Sequence, residues 1–77
     1  MEQVTFLNIF GEDITVRIGD RIAFKCDVEQ SAEVIAIKKH WNDLGYVFTV
    51  KAPPDGFSGH YIGRQDTAEV FSDDVWT

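Results

Sequence analysis

The chain has 77 residues, of which 44% are hydrophobic and 26% charged, and its formal net charge is −6. That length holds one small core, which excludes a multidomain enzyme, and an aromatic content of 13% excludes a disordered tail. The acid excess also counts against a generic nucleic-acid binder, which needs Lys and Arg to displace counterions from phosphates.

Alternation with period two dominates the chain and predicts short, half-buried strands. Val4 to Phe10 is β-rich, but both of its faces are apolar. Gly11-Glu12-Asp13 then gives a three-residue hairpin connection. Ile14, Val16 and Ile18 share one face of the next strand, and Gly19-Asp20 supplies the following reversal. Ile22, Phe24 and Cys26 share one face of the third.

Residues 28–41 admit two readings. Asp27 and Gln30 stand at capping-box spacing, so a helix can be drawn from Val28 to Trp41. The β-branched Val34, Ile35 and Ile37 favour a strand. The favoured reading is a loop over 27–32 and a strand over 33–39. Asn42-Asp43-Leu44-Gly45 is a connection, and Tyr46, Phe48 and Val50 form the buried face of the strand after it. Pro53-Pro54-Asp55-Gly56 ends that strand, because proline lacks the ladder N–H. The longest irregular stretch runs from Ala52 to His60. Tyr61-Ile62 begins another short strand, Ala68 to Phe71 is the last, and Ser72 to Trp76 reads as a terminal 3₁₀ turn with Trp76 folding back over an open end.

Six or seven short strands with frequent turns predict an all-β domain, a small barrel or barrel-like sandwich whose closure removes exposed edges. Cys26 is the single cysteine, so no internal disulfide is possible, and a reducing, cytoplasmic setting is expected. Cys26 itself reads as a core residue. No apolar run approaches a membrane span of about 18 residues. Met1-Glu2-Gln3 is not basic and no hydrophobic region follows, so no secretion signal is expected.

Ile18-Gly19-Asp20-Arg21-Ile22-Ala23-Phe24-Lys25, followed by Glu33-Val34-Ile35-Ala36-Ile37, resembles the SH3-like barrels, including KOW and Tudor-like domains. Val70 to Trp76 is similar to the 3₁₀ turn and last strand of those barrels. The resemblance covers residues 14–77 and leaves 1–13 as an extra N-terminal strand and turn. Ala32 stands where the family's loop glycine is usual. The whole chain also resembles small uncharacterised proteins of bacteria and their tailed phages. The resemblance implies a barrel of five to six strands that binds through loop aromatics and the groove between loops.

No constellation for chemistry emerges. His40, His60 and Cys26 lack metal-ligand spacing, and Asp73-Asp74 alone makes no calcium loop. Gly56-Phe57-Ser58-Gly59 is followed by neither a lysine nor a helix that would hold phosphate. Ser58 and His60 lack an orienting third group. No catalytic residue, metal or cofactor is therefore expected, and the chain is not read as an enzyme.

The aromatics carry the functional expectation. Phe6, Phe24 and Phe48 read as core, whereas Trp41, Tyr46, Phe57, Tyr61 and Trp76 lie in or beside loops. His40-Trp41 with Lys38 and Lys39 makes one patch, and Phe57, His60, Tyr61 and Arg64 make a second. Residues 52–77 hold five acids and one base, with Asp66, Glu69, Asp73 and Asp74 close together. The expected function is a non-catalytic protein-binding module, in a sharper form a phage- or bacterium-encoded modulator that offers its acidic end to a basic surface. The expected site comprises Trp41, Tyr46, Phe57, His60, Tyr61, Arg64, Asp66, Glu69, Asp73 and Asp74. The alternative is an RNA- or single-stranded-DNA-binding barrel using Lys38, Lys39, Trp41 and Arg64. A free edge at the N-terminal strand leaves monomer and weak dimer both open.

Overall fold

The computed structural model describes residues 1–26, 28–41, 45–57 and 65–76, with the side chain of Cys26 outside the description. The described chain is all-β. Its strands are β1 (Gln3–Leu7), β2 (Asp13–Arg17), β3 (Arg21–Cys26), β4 (Val28–Lys39), β5 (Tyr46–Lys51) and β6 (Thr67–Phe71), followed by a 3₁₀ turn, Ser72–Asp74. β1 and β2 form a two-stranded antiparallel sheet, and β3-β4-β5-β6 form a four-stranded antiparallel meander. The expected Tyr61-Ile62 strand lies outside the described residues.

The first strand is shorter than its apolar pattern predicts, and the reason is Asn8. Its side-chain oxygen accepts the N–H groups of Phe10 at 2.9 Å and Glu12 at 3.0 Å, a local bond that competes with the ladder. The chain therefore turns over Asn8–Glu12 rather than over Gly11–Asp13. Gly11 takes the positive φ of 76° that this turn requires. Ile9 and Phe10, read from the sequence as strand, stand on the turn. Ile18 likewise lies beyond β2 and is exposed, because it stands in the turn that the Asp20 N–H closes on the Arg17 carbonyl at 3.0 Å.

The loop expected over 27–32 is also corrected. β4 is already paired at Val28, opposite Cys26, and its polar start lies against β3 residue by residue. Glu29 faces Lys25 across the ladder, and Ser31 accepts from the Arg21 guanidinium at 3.2 Å. Pairing and cross-strand contacts decide the backbone here, over the weak strand propensity of Glu-Gln-Ser. A bulge at Ile35 explains the apolar run that follows. Val34 pairs with Val50 and Ala36 with Thr49, so Ile35 is the extra residue. Before it Ala32 and Val34 point inward, and after it Ile37 does. The β2–β3 turn docks at the same place: Gly19 N–H donates to the Val34 carbonyl and Val34 N–H to the Asp20 carbonyl, each at 2.8 Å.

The core lies between the two sheets. Val4, Phe6 and Val16 of the hairpin meet Ile22, Phe24, Val34, Phe48, Val50 and Val70 of the meander. Phe6 packs on Phe48 with ring centroids 5.4 Å apart. Each such side chain contributes about 1.5–3 kcal/mol on burial. Among the described residues the sheet does not close into the expected barrel. Instead the outer edge of β3 is met by a single bridge, Phe24 to Val75, and by the Trp76 N–H donating to the Ala23 carbonyl at 3.0 Å. The terminal turn thus covers an edge without a full strand.

Candidate functional site

The two ends of β4 carry the exposed apolar residues of interest. At its C-terminal end, Lys39 runs into His40 and Trp41, and His40 N–H donates to the Gly45 carbonyl at 2.9 Å. Tyr46 then opens β5, its N–H donating to the buried Ser72 hydroxyl at 3.1 Å. A Cβ on Gly45 would run into that hydroxyl, so glycine is required for the close approach. Ser72 in this way ties the start of β5 to the end of β6.

The register sets the outer face. Val47 lies between Lys38 on β4 and Phe71 on β6, on the side of the sheet opposite Tyr46, Phe48 and Val50. It is nonetheless only 5% exposed, and it does not belong to the main core. The side chains around it are Lys38, Lys39, Trp41, Glu69 and Phe71, which line a groove of about 390 Å³. Lys38 pairs with Glu69 at 2.6 Å across the groove, between side chains that are 63% and 55% exposed. Trp41 is 89% exposed and Phe71 44%. His40 meets Phe71 edge-on at 5.1 Å and Trp41 at 5.6 Å. On the other side of Phe71, a second hollow of about 310 Å³ is lined by His40, Tyr46, Ser72, Asp73 and Asp74. Burial pushes the Asp74 carboxyl above the usual carboxylate value, and the neighbouring Asp73 charge adds to the rise.

Trp41 and Glu69 therefore share the groove on one side of Phe71, and Asp73 and Asp74 share the hollow on its other side with Tyr46, which also packs against the core with its ring centroid 6.4 Å from that of Phe6. Asp66 is not with them: it precedes β6 at the far end, where its carbonyl accepts from Ala52 N–H. Phe57 is corrected outright. It is 8% exposed and part of the core, because a core this thin draws an aromatic in from the loop. His60, Tyr61 and Arg64 lie outside the described residues. The expected site omitted Phe71 and Val47, although alternation in β6 sets Phe71 on the same side as Glu69 and opposite the buried Val70.

At the other end of β4 lies a surface that the sequence did not reveal. Ile9, Phe10, Lys25, Glu29 and Trp76 surround a hollow of about 580 Å³. Asn8, itself buried, donates from its amide to the Trp76 carbonyl at 2.9 Å while its oxygen holds the turn.

No protein family, characterised protein or solved structure matches the chain. Among the described residues, no group of three His, Cys, Asp or Glu is arranged to hold a metal ion. Nor is any helix among them long and apolar enough to cross a membrane.

Proposed function

We propose that the chain is a non-catalytic protein-binding module whose contact face is the outer surface of β4, β5 and β6 around Trp41 and Phe71. One observation carries this reading: an aromatic side chain 89% exposed stands beside a half-exposed phenylalanine over a valine buried outside the core. Large exposed aromatics on a sheet face lose water-exposed area when a partner covers them, and Trp and Tyr dominate the energetics of such contacts. The acids Glu69, Asp73 and Asp74 border the same face, so the partner has an apolar or aromatic anchor flanked by basic groups. A cytoplasmic target with a basic surface, bound by a bacterial or phage modulator, fits this chemistry.

The second reading is RNA or single-stranded DNA on the groove lined by Lys38, Lys39, Trp41 and Phe71. Base stacking on Trp41 favours it. The salt bridge from Lys38 to Glu69 counts against it, since that cation already has a carboxylate partner.

The test is affinity capture from bacterial lysate, with and without nuclease, by the native chain, by Trp41→Ala/Phe71→Ser and by Asp73→Lys/Asp74→Lys. Thermal melts establish that each variant folds. A stoichiometric protein that survives nuclease and is lost with both variants supports the module. Capture abolished by nuclease transfers the face to nucleic acid. Capture that both folded variants retain overturns the assignment to this surface.

A further inference from the structure

The Asn8–Glu12 turn differs from an ordinary exposed loop. Its Asn8 side chain is buried and uses both of its polar atoms, accepting from Phe10 and Glu12 and donating to the Trp76 carbonyl. Asn8 N–H donates to the Glu12 carbonyl at 2.9 Å, and Gly11 N–H to the Asn8 carbonyl at 3.0 Å. The turn is thus fixed to the segment that covers β3. On this fixed frame Phe10 projects with 68% of its surface exposed and Ile9 with 49%. An apolar group held out by buried hydrogen bonds meets a partner with little further ordering cost.

Beside this projection is the hollow lined by Ile9, Phe10, Trp76, Lys25 and Glu29. A knob and an apolar hollow therefore share one patch. The rim adds the decisive feature. Lys25 and Glu29 are both exposed and face each other across the β3–β4 ladder, so opposite charges lie side by side. Each copy carries a formal charge of −6, which opposes close self-approach over most of the surface. At this rim a twofold rotation places a lysine against a glutamate twice over.

We propose that this face pairs two copies of the chain about a twofold axis. Phe10 of each copy seats in the other's hollow against Trp76, and Lys25 of each faces Glu29 of the other. Such an interface is isologous and self-complementary. It lies at the opposite end of β4 from the Trp41–Phe71 face, so a dimer presents two copies of that face outward. The pairing is the same whatever the Trp41–Phe71 face binds.

Sedimentation equilibrium over roughly 1 μM to 1 mM reads the outcome in the affinity range of weak dimers. The native chain should approach twice its 8.7 kDa mass as concentration rises. Phe10→Ser should weaken association by at least about tenfold while leaving the thermal melt little changed, because Phe10 is outside the core. Lys25→Glu alone and Glu29→Lys alone should each be monomeric, since each brings like charges together at both contacts. An equimolar mixture of those two should dimerise again. In the mixed pair, one contact joins the two introduced side chains, which are of opposite charge, and the other joins the native Lys25 of one chain to the native Glu29 of the other. That recovery cannot come from repairing either chain's own fold. A native chain that stays at monomer mass throughout, a dimer indifferent to Phe10→Ser, or a mixture that stays monomeric overturns the proposal.

Discussion

The two ends of β4 both expose apolar groups, but they hold them in different ways. At the Val28 end, Ile9 and Phe10 stand on a turn whose backbone is tied down by one buried amide, that of Asn8. At the Lys39 end, Phe71 ends β6 and Trp41 stands in the turn after β4, and their order comes from ring contacts with His40 and from the Ser72 hydroxyl beneath. The first arrangement concentrates its rigidity in a single residue. The second spreads it over several weak contacts, so no one substitution should dissolve it. A domain with one thin core between two sheets has nothing left to cover the outer face of its meander, and this geometry leaves both patches on the surface.

Substituting Asn8 should break the comparison most sharply. Asn8→Ala leaves the Phe10 and Glu12 N–H groups and the Trp76 carbonyl without their partner, at an expected cost of about 2–3 kcal/mol. Urea denaturation measures the loss. Hydrogen exchange at Phe10 and Glu12 should accelerate while the amide of Tyr46, at the other end, keeps its protection relative to global unfolding. Unchanged stability would show that water replaces the amide and that the turn is not fixed by it. Gly45→Ala is the matching change at the Lys39 end. The added Cβ meets the Ser72 hydroxyl and displaces it from the Tyr46 N–H, for an expected cost of about 1–2 kcal/mol. The Tyr46 amide should then exchange faster, and those of Phe10 and Glu12 should not. An equally stable Gly45→Ala variant would mean that the β5–β6 junction relaxes without this bond.

Much of the sheet was legible because alternation reports burial directly. Ile22 and Phe24, and Phe48 and Val50, were readable from spacing alone, and the 3₁₀ turn after Phe71 from its residues and its likeness to the end of SH3-like barrels. The misreadings share a physical cause, which is that the deciding partner is distant or local in a way spacing does not encode. The strand over 28–32 exists because β3 lies beside it, and its own residues are poor strand formers. The bulge at Ile35 scrambles the face pattern from within. Asn8 ends β1 with a side-chain bond that an apolar pattern conceals. At the candidate site, the acids and Trp41 stood out by residue type. Phe71 did not, because in sequence it reads as one more hydrophobic residue of β6. Phe57 failed in the opposite direction, since a loop position gave no sign that the core needed it.

The smallest effect expected concerns pH and separates the two ends electrostatically. Burial, with the Asp73 charge second, raises the folded-state pKa of Asp74 above its ordinary value of 3.8. The folded chain therefore binds this proton more tightly than the unfolded chain does. Below the unfolded value both states are protonated and the group costs nothing. As pH rises from there through the folded value, the folded state must carry a charge it disfavours, and stability falls. Asp74→Asn removes that penalty, so the variant should melt at a higher temperature than the native chain at neutral pH. The gap should close as pH drops below the ordinary carboxylate range. Asp73→Asn should give a weaker version of the same trend, because it removes only the second cause. Paired thermal melts of native and variant chains from pH 7 downward measure the gap, and a gap that stays constant into strong acid would exclude Asp74 ionisation as its source. The Asn8 turn is held by a different set of bonds, from an amide to two backbone N–H groups and a carbonyl that do not ionise, beside a longer donation of 3.4 Å from the same amide to the Glu12 carboxylate.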